Sequence, residues 1–237
     1  MSIFGTGTAN TNVEKEEDFA KRTLDTGAYS GKLGMVFVGQ AKSGAVNVTL
    51  HVELDNGKKI TETVYITNKD GANTYQKDGK NYLLPGFQLI NNLAIMTTGK
   101  PLHDLQDEVE IRSVKLYDYD AKQEVLTDVK AVVPMIGQRV LLAVQEEEKE
   151  KQKKNDATGK YEGTGEFYLT NSIVKCFDPE TTQSAVERAE QKEPVALEAW
   201  LKSNKGKVKE AKKSDAPANQ STVSAANKPS GLFGAKQ

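Results

Sequence analysis

A single cysteine, Cys176, and two histidines, His51 and His103, stand in 237 residues. One thiol cannot close an internal disulfide, and so thin a supply of soft ligands excludes a structural zinc site. No apolar run approaches the roughly 20 residues that a bilayer crossing needs. The opening "MSIFGTGTANTNVEKEE" also lacks the basic start and apolar centre of a secretory signal, so a cytoplasmic protein is expected.

The parts of an enzyme are equally scarce. "GTGT" at 5–8 has no strand before it and no Gly-Lys-Ser/Thr after it, which removes a phosphate loop. His51 and His103 have no partners nearby in sequence, and Cys176 in "NSIVKCFD" reads as a small, half-buried strand residue. Asp118 and Asp120 of "DYD" share one side of a strand, where Mg²⁺ would find two carboxylates. They also stand beside a turn, where aspartate is common for backbone reasons. No enzyme is expected, and no cofactor or metal.

Charge is present, and it is unevenly placed. Lysine and arginine number 32 against 33 aspartates and glutamates, a net charge of -1. Residues 1–204 hold 25 basic and 31 acidic side chains (-6), and residues 205–237 hold 7 and 2 (+5). An acidic body carries a basic tail. Phosphate binding depends on local positive charge, so the near-zero sum excludes little.

Alternation and β-branched residues start at Tyr29. "GKLGMVFVGQ" and "AVNVTLHVEL" flank the turn "KSG", and "DNG" at 55–57 leads into "KKITETVYIT". Asn-Gly tolerates the positive φ of tight hairpins, so three antiparallel strands are predicted over 33–67. "LLPGFQLINNLAIMTTGKPL" then reads as a helix, with Pro85 in its first turn and Gly99-Lys100-Pro101 as its stop. Strand patterns return in "DEVEIRSVKLYDYD", "QEVLTDVKAVVPM" and "QRVLLAVQEEE". The run "EEEKEKQKKNDATGKYEGTG" is almost free of aliphatic side chains, and a protruding arm over 147–164 is expected before "EFYLTNSIVKCF" closes the sheet. From Pro179 to Lys205 the pattern is helical with a break at Pro194, and Trp200 and Leu201 are available to pack on the body.

Three strands, a helix and further strands are the order of an OB-fold. The expected fold is therefore all-β with minor α: an OB-fold-like antiparallel barrel at 28–204, one helix between strands and a long hairpin arm. Residues 1–27 read as a mobile N-terminal arm, and residues 205–237 as a disordered basic tail. Each terminus has a lone phenylalanine before glycine, "IFG" at 3–5 and "LFG" at 232–234. Leu232 and Phe233 are the expected partner-docking residues.

One stretch, "NTYQKDGKNYLLPGF" at 73–87, sets flat rings beside ammonium groups in what reads as an exposed loop. Tyr75 has only polar neighbours, and Tyr82 stands next to Leu83 and Leu84, where it could equally cap the core. With Lys69, Lys77 and Lys80 they offer stacking surfaces for bases and charges for phosphates. Tyr65, Arg112, Lys115, Tyr117 and Tyr161 extend the candidate nucleic-acid set. Tyr117 shares a strand face with Tyr119, and Tyr161 follows Lys160 on the arm.

The segments "YLLPGFQLINNLAIMTTGKPLHDL", "VPMIGQRVLLAVQEEEKEKQ" and "GTGEFYLTNSIVKCFDPETTQSAVE" together resemble the replication single-stranded DNA-binding proteins of tailed bacteriophages, over most of residues 30–202. That resemblance implies an OB-fold coating exposed DNA during replication and recombination in the host cytoplasm. It also implies side roles in transcription for some phages, and a C-terminal tail for partners such as phage or host polymerase and recombination proteins. The basic ending here departs from the acidic tail of that class, so an acidic docking peptide is not carried over. The alternative expectation is a protein-interaction or transcription-regulating adaptor on the same fold with docking termini.

Overall fold

The computed structural model describes residues 23–118, 121–156, 158–159 and 161–211. Nine strands dominate: β1 (Gly27–Gln40), β2 (Val46–Leu54), β3 (Lys59–Tyr65), β4 (Thr74–Lys77), β5 (Lys80–Leu83), β6 (Val109–Asp118), β7 (Gln123–Val132), β8 (Arg139–Lys154) and β9 (Tyr161–Phe177). Three helices accompany them: α1 (Pro85–Thr98), α2 (Ala185–Ala189) and α3 (Ala196–Asn204). The protein is mostly antiparallel sheet with few helices, and among the described residues none is long and apolar enough to cross a membrane.

β1 organises the sheet. One edge pairs along its length with β2, which pairs with β3. The other edge is shared: Gly27–Lys32 pair with β8, whereas Phe37 and Val38 pair with β7. A register shift between Leu33 and Met35 bends the strand between these two partners, as a β-bulge does. β8 continues into β9, and β7 into β6. The expected barrel is not closed, because β3 and β9 share no backbone ladder. At that seam the carboxylate of Glu62 on β3 accepts the backbone N–H of Ile173 on β9.

α1 lies across the seam for reasons visible in its sequence. Pro85 occupies its first turn, Ile90, Leu93 and Ala94 form one buried stripe, and Gly99 ends it at φ 75° with its N–H on Ile95 O. Gly86 lies so close to the Tyr65 carbonyl that a Cβ there would overlap it. The main core under α1 joins Leu33, Val36, Leu50, Val52, Leu142 and Val144. β8 is buried on both faces, since Leu141 and Ala143 meet Phe177 and the half-buried Trp200 and Leu197 of α3.

Residues 23–27 and 205–211 pack onto the sheet. Thr26 is buried and receives the Gln145 side-chain amide and the Glu146 N–H on its hydroxyl, which itself donates to Lys207 O at 2.6 Å. Gly206 N–H reaches Thr26 O at 2.9 Å, and Lys209 makes a parallel bridge to Glu147. Residues 23–27 and 205–211, expected in the mobile arm and the tail, thus clasp the root of the β8–β9 ribbon. The rest of both terminal expectations, Leu232 and Phe233 included, lies outside the described residues.

Candidate functional site

The stretch read as an exposed loop is a two-stranded hairpin. β4 and β5 turn through Asp78 and Gly79, both at positive φ (52° and 71°), which is the Asp-Gly hairpin geometry. The register sets Tyr75 opposite Tyr82 and Lys77 opposite Lys80. Side chains alternate with a period of two, so all four project from one face, and Gln76 and Asn81 from the other. The two rings stack with centroids 5.8 Å apart and an interplanar angle of 30°. Tyr75 is 42% exposed and Tyr82 43%, so neither is core. Neither Lys77 nor Lys80 has an ion-pair partner among the described residues, whereas Lys69, in the preceding turn, lies 3.8 Å from Asp70.

The other candidates fall into three places. Tyr65 is exposed on the outer face of β3 with Thr61 and Thr63, while Ile60, Val64 and Ile66 turn inward. Thr49 and Thr63 hydrogen-bond on that outer face at 2.9 Å, and the Phe37 and His51 rings meet edge to face at 5.6 Å. Partial burial lowers the His51 pKa. On the β6–β7 ribbon Lys115 and Tyr117 share a face. Arg112 belongs to the opposite face and is bound to Glu110 at 2.7 Å, so it does not extend their platform. Tyr119 and Asp120 lie outside the described residues.

Tyr161, 67% exposed, sits far out on the β8–β9 ribbon, and Lys160 lies outside the described residues. The register puts this ribbon beyond the Gly27 end of β1 and the β6–β7 ribbon beyond its other end. Tyr161 is therefore remote from Tyr117 and from the tyrosine hairpin. Sequence reasoning missed Tyr168, which is exposed opposite Lys149 and lines a shallow groove with Lys151. Its signal was the aromatic pair in "EFYL", taken as an ordinary sheet strand; Phe167 beside it is also exposed, and Phe177 is buried.

Among the described residues no three His, Cys, Asp or Glu side chains gather for a metal ion. Burial pushes the Cys176 thiol up to about 12, which leaves it protonated and unfit as a nucleophile. Chemically the tyrosine hairpin offers rings that can stack on flat ligands and two ammonium groups that can attract anions, with the Asp78 carboxylate in its turn.

The chain matches no protein-family model and no curated protein.

Proposed function

We propose that the protein binds single-stranded nucleic acid, DNA in the first instance, without sequence preference and without catalysis. The observation that carries this reading is the Tyr75–Tyr82 pair sharing one exposed hairpin face with Lys77 and Lys80. Each tyrosine of the pair keeps about two fifths of its surface open to solvent, and a strand of bases and phosphates is a ligand that uses rings and ammonium groups together. Support also comes from strand order. Taken around the core, β1, β2, β3, the α1 seam, β9 and β8 return to β1, which is the OB-fold order with β6–β7 as an added ribbon. In that scheme the strand runs over the outer face of β1–β3, past Tyr65, from the tyrosine hairpin toward the arm. The resemblance to phage replication proteins agrees with a coating role in replication and recombination.

The test is titration of the full chain with oligothymidylate, followed by tyrosine fluorescence. Quenching is expected, with far weaker binding to duplex. Tyr75→Ala and Tyr82→Ala should each cost roughly 1–3 kcal/mol of affinity, about 5- to 150-fold. Duplex bound as tightly as single strand, or both variants binding like the native chain, overturns the reading.

A second reading, an interaction or transcription-regulating adaptor, is favoured by the pairing of so many candidate cations. Arg112, Lys149 and Lys151 all lie within 3 Å of a carboxylate. Under it no oligonucleotide binds at micromolar concentration, and a protein partner is lost with residues 212–237.

A further inference from the structure

Strand β6 ends the sheet with no strand on its outer edge among the described residues. Its ten residues, "VEIRSVKLYD", contain no proline or glycine, and all ten pair with β7 without a register shift. Such an edge presents a regular row of unpaired N–H and C=O groups, which is a template for another strand. The other long edges are interrupted. β1 blocks the far side of the β6–β7 ribbon at Phe37 and Val38, Lys209 bridges β8 at Glu147, and the Glu62 carboxylate of β3 accepts the Ile173 N–H of β9. Apolar side chains accompany the free edge. Ile111 is 63% exposed and Tyr117 54%, on the face of β6 that also carries Lys115. Ile111 stands at the lip of an aliphatic cleft of about 460 Å³ lined by Val38, Ile66 and Leu105.

We propose that the β6 edge is an interface between two copies of this chain, paired antiparallel about a two-fold axis at Val114. The sequence of the strand selects both the occupant and the register. A two-fold axis normal to the sheet sets two residues opposite each other only where both are odd or both even, so that facing side chains emerge on one face. Two such registers pair nine residues of the strand. Centred on Val114, Ile111 faces Tyr117 of the second copy, Arg112 faces Leu116 and Ser113 faces Lys115, and each of these pairs occurs twice. Apolar meets apolar, the Arg112 stem lies along Leu116, and Lys115 reaches over Ser113 toward the Asp128 carboxylate to which that serine donates. The end pair, Glu110 with Asp118, is like-charged, but Arg112 already lies 2.7 Å from Glu110. Centred on Ser113, the strand would set Lys115 against Ile111 and Glu110 against Leu116. A shift the other way, to Lys115, would bring two ammonium groups face to face. This self-complementarity favours a second copy over an unrelated strand. Tyr117 of the second copy then stands beside Ile111 at the lip of the cleft and covers apolar surface that one chain leaves open.

A single strand pair is a small interface of the transient class, so the test traps the dimer covalently and also reads it in concentrated solution. The inference does not rest on nucleic-acid binding, and no nucleic acid is added.

Directly opposed residues of antiparallel strands have Cα atoms about 4.5–5.5 Å apart, a distance that a disulfide spans. Full-length Val114→Cys, with oxidised glutathione as electron acceptor, should form linked pairs at least about tenfold faster than Ser113→Cys or Lys115→Cys, whose like positions are offset along the strand. Buried Cys176 does not compete. The native chain should sediment, as its concentration rises, toward twice its 25.9 kDa. Ser113→Lys, at an exposed position, sets lysine against Lys115 and should keep the chain monomeric, and adding Lys115→Ser should restore the dimer. A native chain that stays monomeric at millimolar concentration overturns the inference. So does linkage no faster at position 114 than at 113 or 115, or a Ser113→Lys chain that dimerises like the native one.

Discussion

Glu62 shows how one side chain stands in for a missing ladder. Burial raises its pKa to about 7, against the opposing pull of the Ile173 N–H and Lys149; the nearby Glu147 carboxylate adds to the rise. A carboxyl raised in the folded state holds its proton where the unfolded chain has lost it. Its contribution to stability is therefore full below about pH 4.5, the unfolded value, and is lost as pH climbs through about 7. Glu62→Gln keeps an acceptor for Ile173 and removes the charge. The variant should match the native protein at pH 4 and exceed it at pH 8 by up to about 3 kcal/mol, read from urea midpoints at the two pH values. Glu147 does not confuse the comparison. Although burial opposes it, hydrogen bonds from Ser172, Lys149 and Lys209 depress its carboxyl to about 2, so its window lies in acid. Gly86 makes a steric statement of the same kind: Gly86→Ala should lift α1 from β3 and destabilise by about 1–3 kcal/mol, seen as a lower melting temperature. Cys176 should resist thiol reagents at pH 8 until the chain is unfolded.

Among the elements, α2 and α3 hang on one carboxylate. Burial of Glu187 would raise its pKa, but hydrogen bonds from Ser184, Ala196 and Val195 outweigh that and hold it low. It closes a capping box on α2 with Ser184 and also accepts the Val195 and Ala196 N–H groups at the start of α3. Glu187→Ala removes both caps at about 1 kcal/mol or more each. Trp200, the only tryptophan, sits on α3, so its emission should shift at lower urea than the far-ultraviolet signal of the sheet. Helix α1 was fully legible, because Pro85 and Gly99 punctuate it and an apolar stripe fills it. The β4–β5 hairpin has no apolar face, so alternation carries no strand signal there and the Asp78-Gly79 turn is its one local mark. Arg112 and Tyr117 fall on opposite faces of β6, as an even and an odd position on one strand do. Nothing local could announce the Thr26–Gln145–Lys207 clasp, since its members come from three distant segments.

At the scale of the molecule, the acidic body and basic tail shape any encounter with a polyanion. Only Lys77, Lys80 and Lys115 among the candidate lysines lack an ion-pair partner in the described residues. If about three phosphates are neutralised, the single-strand affinity should fall with salt at a log–log slope near -2, from roughly 0.7 per contact. A much steeper slope would mean that the tail lysines join the contact. The three-strand order, the helix and the arm could be read from periodicity and turn residues, because each is a local pattern. The open seam could not, since closure depends on how far β3 and β9 approach in space. One consequence of the clasp concerns chain order. Gly206 N–H and Thr26 O are hydrogen-bonded neighbours at 2.9 Å, so both ends of the folded body meet at one spot. Joining them through a short link and cutting instead at Ser43-Gly44, in the turn between β1 and β2, would yield a circular permutant with the ladders between the named strands intact, new ends at the Gln40 end of β1, and a convenient handle for tethering copies in tandem.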